Sequence, residues 1–271
     1  MKASIIDAIF LSEKRKKLLL LLMEGPKDIE EIKEALDVTS SAMLPQIKKL
    51  RKLDLIVCNE RVYSLTEAAR ILVEKMEPLL GTIEVFEENY DYWMSRHISS
   101  IPEEFRSRLW NLGECELKRP DMIYLFEPPE EFNESLAKSK NIRTLASFFH
   151  PQCPHNYAQL AKKGVDVTLI LTKAVFDRMK KDGSKYLQKI LESEGSELFF
   201  MKEEIPIGSI TVTDDIFMIT LFNKDLVLDH LKLISYEPQA RQWGLDIIDH
   251  FKELAIPVDK DKMLREIGDQ E

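Results

Sequence analysis

The N-terminal fold is decided by one stretch of sequence, Thr39-Ser-Ser-Ala-Met-Leu-Pro-Gln-Ile-Lys-Lys-Leu-Arg-Lys-Leu53. Apolar residues recur in it every three or four positions, which predicts an amphipathic helix. The side chains expected to be buried are Met43, Leu44, Ile47, Leu50 and Leu53. The hydroxyl groups of residues 39–41 are suited to cap the helix N-terminus. Pro45 lacks a backbone N–H and is expected in the first turn, so the helix is predicted to begin near Ser40 or Ser41.

The opposite face of this helix has the chemistry of a DNA-recognition surface. Small hydroxyl side chains at its start suit insertion into a major groove, and the basic residues behind them suit anchoring on phosphates. The predicted DNA-binding residues are Ser40, Ser41, Pro45, Gln46, Lys48, Lys49, Lys52 and, on the following hairpin, Arg61. Taken alone, the same face also fits a plain helical bundle with a solvated basic surface.

The elements before this helix complete a helix-turn-helix. Gly25-Pro26 ends an apolar helix, and Asp28-Ile-Glu-Glu31 has the pattern of a capping box. The box opens a short helix that is predicted to end at Leu36. Asp37-Val38-Thr39 is then the short polar turn that joins the last two helices.

A β-hairpin is predicted next, over Leu55–Cys58 and Val62–Leu65, with Asn59-Glu60-Arg61 as its turn. This hairpin has the position of a wing, where Arg61 is placed to contact a minor groove or a phosphate. Thr66 is expected to cap the helix that follows. The order helix, helix, basic helix, hairpin and helix is specific in combination, although no single element is.

Composition and charge permit a DNA-binding module on an acidic partner domain. The chain has 271 residues, of which 44% are hydrophobic, enough for one large domain or two ordinary ones. Residues 1–75 contain 14 Lys/Arg and 12 Asp/Glu, whereas the remainder contains 24 and 35. The basic excess therefore lies at the N-terminus, although the net charge is −9. A difference of this size also fits ordinary surface variation.

The chain is expected in the cytoplasm and not in a membrane. It has no run of about 18 apolar residues and no signal-peptide pattern at its start. The three cysteines, Cys58, Cys115 and Cys153, are odd in number and far apart. That spacing argues against a disulfide framework and for a reducing compartment.

Residues 72–97 contain a heptad-like apolar stripe, which is typical of two long helices that pack together. The predicted dimer seam consists of Leu72, Met76, Leu79, Ile83, Phe86 and Tyr90. Pro78 and Gly81 predict a kink or a break within it. Before Gly81 we expect dimerisation; after Gly81 the stripe fits equally well against the chain's own second domain.

From Pro102 onward strand and helix patterns alternate and strands then cluster, which predicts a mixed α/β sandwich. The predicted strands are 122–126, 142–148, 165–171, 198–201, 209–212, 217–222 and 231–236, and the predicted helices are 156–162, 174–181, 185–192 and 238–254. The fold class is therefore α+β or α/β with two domains. The expected organisation is a winged helix-turn-helix domain at 1–75, a connector or dimerisation helix at 76–100, a regulatory domain at 101–255 and a tail at 256–271.

The C-terminal domain shows no motif for catalysis or for a cofactor. The nine glycines form neither a phosphate-binding loop nor a nucleophile elbow. His150-Pro-Gln-Cys-Pro-His155 offers three possible metal ligands, but a proline-rich turn explains it as well as a zinc site does. A redox role for Cys153 requires a lowered pKa. We therefore expect no metal, no cofactor and no enzyme activity. A candidate effector site is predicted near strand ends, at Trp93, Arg143, His150 and His155.

His230-Leu-Lys232, followed by Glu237, resembles the His-Lys-Asp signature of phospholipase-D-like enzymes, with Glu in place of Asp. In those enzymes the His is the nucleophile and the Lys holds a phosphate. Only one copy is present, and two residues at this spacing share a strand face by chance in many proteins. A catalytically inactive domain of that fold, used for ligand sensing, is therefore favoured over a phosphodiesterase.

Segments along almost the whole chain resemble one known family. They are Leu44-Pro-Gln-Ile-Lys-Lys-Leu50, Tyr63-Ser-Leu-Thr66, Tyr92-Trp93 through His97, Ser100-Ile-Pro102, Phe149-His-Pro151, Ile170-Leu-Thr172, Leu221-Phe222 and Ser235-Tyr-Glu-Pro-Gln-Ala-Arg-Gln-Trp-Gly244. In these segments the chain resembles the ArsR-like winged-helix transcriptional regulators of methanogenic archaea, which act in methanogenesis and filament formation. The resemblance implies a DNA-binding domain followed by a C-terminal regulatory domain, and it implies no catalytic residues.

The sequence thus predicts a homodimeric DNA-binding transcriptional regulator. Its expected partners are double-stranded DNA, a second copy of the chain and a small-molecule effector of the C-terminal domain. Two alternatives stay open. One is a phosphodiesterase of the phospholipase-D type that uses His230 and Lys232, and the other is a winged-helix module that only docks proteins.

Overall fold

The elements of a computed structural model, which describes residues 4–120 and 128–268, fall into two units, Met1–Leu80 and Gly81–Glu271. The division falls after Leu80, because Met76 and Leu80 still pack into the N-terminal core. The strand predicted at 122–126 lies outside the described residues.

The N-terminal unit is a winged helix-turn-helix. Its elements are α1 (Ile5–Phe10), α2 (Glu13–Leu21), α3 (Ile29–Leu36), α4 (Ser40–Lys52), β1 (Ile56–Asn59), β2 (Val62–Leu65) and the first part of α5 (Glu67–Glu88). β1 and β2 pair in antiparallel fashion. Lys27 forms an isolated antiparallel β-bridge with Tyr63 through two backbone hydrogen bonds of 2.8 and 3.0 Å. The apolar faces of α2, α3 and α4 meet in one core.

Capping sets two helix boundaries in this unit. The Asp28 side chain accepts hydrogen bonds from the N–H groups of Glu30 and Glu31 at 2.8 and 2.9 Å. The Glu31 side chain in turn accepts one from the N–H of Asp28 at 2.7 Å, which completes the predicted capping box. The Thr66 hydroxyl accepts from the N–H of Ala69 at 3.2 Å, so the expected cap of α5 is also present.

The C-terminal unit is built on one mixed sheet. Its strands are β3 (Glu116–Lys118), β4 (Asn141–Ala146), β5 (Asp166–Thr172), β6 (Ser196–Met201), β7 (Ile207–Val212), β8 (Phe217–Leu221), β9 (Lys232–Ser235) and β10 (Ile256–Pro257). They lie in the order β10-β6-β5-β4-β7-β8-β9-β3, with β4, β5 and β6 parallel and the other neighbours antiparallel. Sequence patterns do not predict β3 and β10, because two or three residues at a sheet edge show no alternation.

Helices cover both faces of this sheet. One face packs against α6 (Tyr90–Ser95), α7 (Glu103–Arg106) and α11 (Pro238–Leu254). The other packs against α8 (Glu130–Lys138), α9 (Cys153–Lys162), α10 (Lys173–Leu191) and α12 (Lys260–Gly268). All of β5 except its first residue is buried, as expected of a strand covered on both sides. The predicted mixed α/β sandwich is confirmed, and α11 has the predicted bounds.

The sequence predicts an interruption in two helical regions. A kink or a break is predicted at Pro78 and Gly81, but α5 continues through both residues without a break. Met76 and Val85 are buried on either side of these residues, and such burial stabilises a helix in which proline cannot donate one backbone hydrogen bond. The helices predicted at 174–181 and 185–192 are both present within α10, where they meet at a kink at Gly183, which has a non-helical φ of −135°.

Gly244 of α11 offers a test of the packing against the sheet. A Cβ at this position would lie 2.5 Å from the Phe217 ring and 2.7 Å from Val212. We expect Gly244→Ala to lower the free energy of unfolding by about 1–3 kcal/mol, because the helix and the sheet have to move apart. Urea denaturation measures this value. Glu253→Ala, at an exposed position of α11, is the control and should change it by less than about 0.5 kcal/mol. An unchanged Gly244→Ala variant would contradict the packing.

Candidate DNA-binding surface and ligand cavity

The outward face of α4 is basic and solvated. Lys48, Lys49 and Lys52 are exposed, and Arg51 lies exposed beside them. Within residues 4–120 and 128–268, none of these four side chains forms an ion pair. The protein therefore does not compensate their charges. Such cations are available to bind phosphates and to release counterions.

The beginning of α4 presents hydroxyl groups and one carbonyl without its helical donor. The Thr39 hydroxyl accepts a hydrogen bond from the N–H of Ala42 at 3.3 Å, and its oxygen lies 3.0 Å from that of Ser41. Ser41 is exposed and Ser40 is half-buried. Pro45 is the sixth residue of α4 and not part of the first turn, where it is expected. Because proline has no N–H, the Ser41 carbonyl lacks its usual i+4 partner.

Leu44 is exposed, so the expectation that it is buried is wrong. Its exposed fraction is 46%, whereas Met43 and Ile47 are at most 2% exposed. Successive helix residues are about 100° apart around the axis, so Leu44 lies that far from Met43, which points into the core. An apolar side chain is thereby placed beside the hydroxyl groups and the lysines. Apolar contact with a thymine methyl group is one mode of base recognition.

Gln46 is engaged by a buried arginine that sequence reasoning missed. Arg15 of α2 is 7% exposed, and its guanidinium donates to the Gln46 side-chain oxygen at 2.7 Å. It also donates to the carbonyls of Ala8 and Asp7, the latter at 3.1 Å. Gln46 therefore helps to tie α1, α2 and α4 together. A signal was present, because Arg15 precedes Leu18 by three residues and so shares a helix face with that buried leucine.

The wing has a tighter turn than the sequence pattern predicts. Asn59 belongs to β1 and pairs with Val62, so only Glu60 and Arg61 form the turn. Their φ angles are 51° and 68°. A two-residue hairpin whose central residues both have positive φ is a type I′ turn, which matches the twist of the strands. Arg61 is exposed at its tip, where the wing is predicted to contact DNA.

The predicted dimer seam is only partly exposed. Leu72, Leu79 and Ile83 of α5 are 40, 50 and 39% exposed, whereas Met76 is 4% exposed and belongs to the N-terminal core. Phe86 is half-buried and contacts the Trp93 ring edge to face, with 5.4 Å between the centroids. Tyr90 is 58% exposed but belongs to the next helix, α6.

The four residues predicted for an effector site do not come together. Trp93 is fully buried in the core on the α11 side of the sheet. Arg143 of β4 donates to Asp249 of α11 at 2.8 Å, also on that side. His155 packs its ring against Tyr186, with 5.2 Å between the centroids. Of the four, His150 alone lines the apolar cavity on the opposite face of the sheet.

This cavity has a volume of about 90 Å³ and lies between the sheet and helices α8, α9 and α10. Its floor consists of same-face residues from five neighbouring strands: Leu169 and Leu171, Thr144 and Ala146, Ser209 and Thr211, Met218, and Lys232. Its remaining walls include Phe132, Cys153, Tyr157, Val175, Met179 and the loop residues Phe148, Phe149 and His150. The lining is mostly hydrophobic and aromatic, with a few polar groups, which is the usual character of a small-molecule site.

The polar groups of the cavity have distinct environments. Thr144 is hydrogen-bonded to the Tyr157 hydroxyl at 2.9 Å and to Thr211 at 3.2 Å. Burial raises the pKa of Cys153 to about 12, and the neighbouring Lys232 only partly opposes this. Burial also lowers the pKa of Lys232. Cys153 is therefore a neutral thiol at physiological pH, which is the opposite of what a redox sensor requires.

The expectation that His230 and Lys232 share a strand face is wrong. β9 begins at Lys232, and His230 has a φ of 58°, in the left-handed region. This conformation turns the chain before the strand begins. The rule that residues two apart on a strand share one face therefore does not apply to His230 and Lys232. Lys232 Nζ donates to the His230 carbonyl at 3.3 Å.

Two further features bear on the expected chemistry. Among the residues that the structure describes, no three His, Cys, Asp or Glu side chains are grouped closely enough to hold a metal ion. In the same part of the chain, no helix combines the length and the apolar character that a membrane span needs.

Residues 4–84 match the N-terminal domain, and residues 125–254 the middle domain, of the family described as methanogenesis regulatory protein FilR1. FilR1 of Methanothrix harundinacea (strain 6Ac) is 24% identical to this chain over 259 residues, which cover 94% of this chain and 58% of that protein. The chain thus spans little more than half the length of this curated relative.

Two solved structures share more distant similarity. TrmBL2, described as an archaeal chromatin protein with a novel mode of DNA binding, is 12% identical with a TM-score of 0.42, covering 93% of this chain and 97% of that chain. Phosphatidylserine synthase of Haemophilus influenzae Rd KW20 is 9% identical with a TM-score of 0.38, covering 58% of this chain and 44% of that chain. With TM-scores below 0.5, neither likeness establishes a common fold.

The resemblance drawn from the sequence is confirmed by the family comparison. The family is described as a regulatory protein, in agreement with the expectation that the chain is not an enzyme. Both domain matches concern the same regulator, and together they cover most of the sequence. The chain therefore belongs to the FilR1 family of methanogenesis regulatory proteins.

Proposed function

We propose that this protein is a transcriptional regulator that binds double-stranded DNA. The observation that carries the proposal is the outward face of α4, where Lys48, Lys49 and Lys52 are exposed and, in the described part of the chain, without ion pairs. α4 has the position of the recognition helix, which in this architecture enters the major groove. The description of FilR1 as a regulatory protein supports the same function.

The residues of α4 take different roles in this proposal. The lysines anchor the helix on phosphates, which gives affinity without sequence preference. Ser40, Ser41 and Leu44 lie at the helix start and contact base edges. Gln46 positions α4 through Arg15 instead of reading a base. Arg61 contacts the backbone or the minor groove from the tip of the wing.

The regulator acts as a homodimer, in which α5 packs against its counterpart. Leu72, Leu79 and Ile83 lie seven and four residues apart, so they share one side of the helix, and all three are exposed. Two recognition helices related by a two-fold axis match the two half-sites of a palindromic operator. Met76 and Phe86 are excluded from this seam, because they pack within their own units.

The C-terminal domain binds a small-molecule effector in the cavity that Lys232 and Tyr157 line. Thiol oxidation is the weaker explanation of this site, since the pKa of Cys153 is raised. A phosphodiesterase is also weaker, since His230 does not lie on β9 with Lys232. A cytoplasmic location is part of the proposal and is supported by the odd number and wide spacing of the cysteines.

Removal of the α4 charges tests DNA binding. Replacement of Lys48, Lys49 and Lys52 together by Ala should weaken binding to duplexes of any sequence. The slope of log K against log salt is negative, and its magnitude should fall by up to about 2.7, since each phosphate contact contributes about 0.9. A fluorescence titration of the full chain with a labelled duplex at several salt concentrations measures both effects.

A charge-matched control distinguishes this effect from a change in net charge. It replaces three exposed lysines of the C-terminal unit by Ala, namely Lys162, Lys163 and Lys181. The salt slope of this control should equal that of the parent. If the parent chain binds no duplex at low salt, the winged helix docks proteins instead, and the proposal is wrong.

A charge on the exposed side of α5 tests the dimer. Leu79→Glu should convert the dimer to a monomer, because a carboxylate would be buried without a partner in the seam. Sedimentation velocity at a fixed protein concentration measures the oligomeric state. Ile71→Glu is the matched control, since Ile71 is 62% exposed and lies about 100° around the helix from Leu72. A Leu79→Glu chain that stays dimeric would place the interface elsewhere.

Alkylation tests the state of the cavity thiol. With a pKa raised to about 12, the Cys153 thiol is almost entirely protonated at pH 8. Cys115 is raised by burial to the same value. Iodoacetamide at pH 8 should therefore label Cys58 well before the other two, as followed by peptide mass spectrometry. After unfolding in urea all three should react at similar rates. Fast labelling of Cys153 in the folded chain would restore the redox hypothesis.

A further inference from the structure

Lys232 brings a positive charge into a cavity that is lined mostly by hydrophobic side chains. Its side chain is half-buried, and its ammonium group donates to the carbonyl of His230 at 3.3 Å. In the part of the chain that the structure describes, Lys232 forms no ion pair. The nearby carboxylate in sequence, Asp229, is bound by the Arg96 guanidinium at 2.8 Å and is not available. A partly desolvated ammonium group without a counter-ion is costly, which points to an anion that arrives from outside.

The neighbours of Lys232 restrict the charge of that anion. Cys153 lines the same cavity as a neutral thiol and carries no compensating or competing charge. The Tyr157 hydroxyl is occupied by Thr144. Burial and the charge of Lys232 both lower the pKa of His230, which favours the neutral imidazole. Among the described residues, Lys232 is the one lysine or arginine that lines the cavity, and a singly charged group balances its charge better than a phosphate dianion does.

The other walls define the body of the ligand. Phe132, Leu169, Leu171, Val175, Met179 and Met218 supply hydrophobic surface without hydrogen-bonding groups. For scale, a cavity of about 150 Å³ lined by such residues binds benzene. A volume of about 90 Å³ corresponds by proportion to about four carbon atoms. A compact aliphatic group fits this space, whereas a sugar or a nucleotide would leave its polar groups unpaired.

We infer that the cavity binds a small monocarboxylic acid with a branched aliphatic body, whose carboxylate pairs with the ammonium group of Lys232. The inference rests on the effector role given above to this cavity and names the chemical class of the effector. Its specificity comes from two conditions. The carboxylate satisfies Lys232, and the aliphatic body displaces water from the hydrophobic walls.

Calorimetry with a matched pair of probes tests the assignment. 3-Methylbutanoate and its neutral isostere 3-methylbutanamide are titrated into the full chain. The acid should bind at least about tenfold more tightly than the amide, because only the acid forms a charge-assisted hydrogen bond with Lys232. Lys232→Met should remove this preference, and Lys181→Met, an exposed lysine of the same domain, should keep it. Equal affinity for acid and amide, or no binding of either at millimolar concentration, would overturn the inference.

One further variant and one further ligand complete the test. Ala146→Leu fills the cavity while Lys232 stays in place, and it should abolish binding of both probes, so it serves even where Lys232→Met does not fold. Tighter binding of 3-methylbutyl phosphate than of the acid would assign the site to phosphate esters and reject the carboxylate. No DNA is present in these titrations. Their failure therefore leaves DNA binding by α4 untouched, and a failure of the DNA titration leaves the cavity result standing.

Discussion

The C-terminal unit depends on a sheet that is buried on both faces. Because alternate residues of a strand point to opposite sides, β4 sends Arg143 and Leu145 towards α11, and Thr144 and Ala146 towards the cavity. Each central strand therefore offers only every second side chain to the cavity. The floor of the cavity consists of such alternate residues from β5, β4, β7, β8 and β9. Thr144, through its bonds to Tyr157 and Thr211, joins the floor to α9.

A single buried guanidinium has a comparable organising role in the N-terminal unit. Arg15 satisfies carbonyls at the end of α1 and holds Gln46 on α4. A buried charge is tolerated only where its hydrogen bonds are made, so these contacts restrict how the three helices pack. The bond to Arg15 also changes the outward face of α4. It takes the Gln46 side chain away from that face, where the hydroxyl groups, Leu44 and the lysines remain.

The periodic parts of the fold were accessible from sequence, and the parts that depend on tertiary geometry were not. The capping box at Asp28 and the amphipathic pattern of α11 are local, so their elements were predicted with accurate bounds. The turn at His230, by contrast, depends on a positive φ, which no residue pattern in the sequence predicts. The four residues predicted for an effector site do not come together, for another reason. Proximity to strand ends does not specify the face of the sheet, and Arg143 lies on the α11 side. The likeness of His230 and Lys232 to a catalytic signature likewise does not predict that Lys232 lines a mostly hydrophobic cavity.

The two kinds of lysine in this chain illustrate how burial determines recognition. Lys48 and its neighbours on α4 are exposed, so their charges are solvated and bind any phosphate at low energetic cost and with little selectivity. Lys232 is half-buried among hydrophobic side chains, where an unpaired charge is costly and its satisfaction depends strongly on the partner's charge and shape. Solvated cations are suited to bind DNA, because its phosphate backbone is the same at every site. A desolvated cation suits discrimination between small molecules, since an uncharged analogue leaves it unsatisfied. The distribution of charge burial thus separates the proposed DNA-contacting surface from the proposed effector site within one chain.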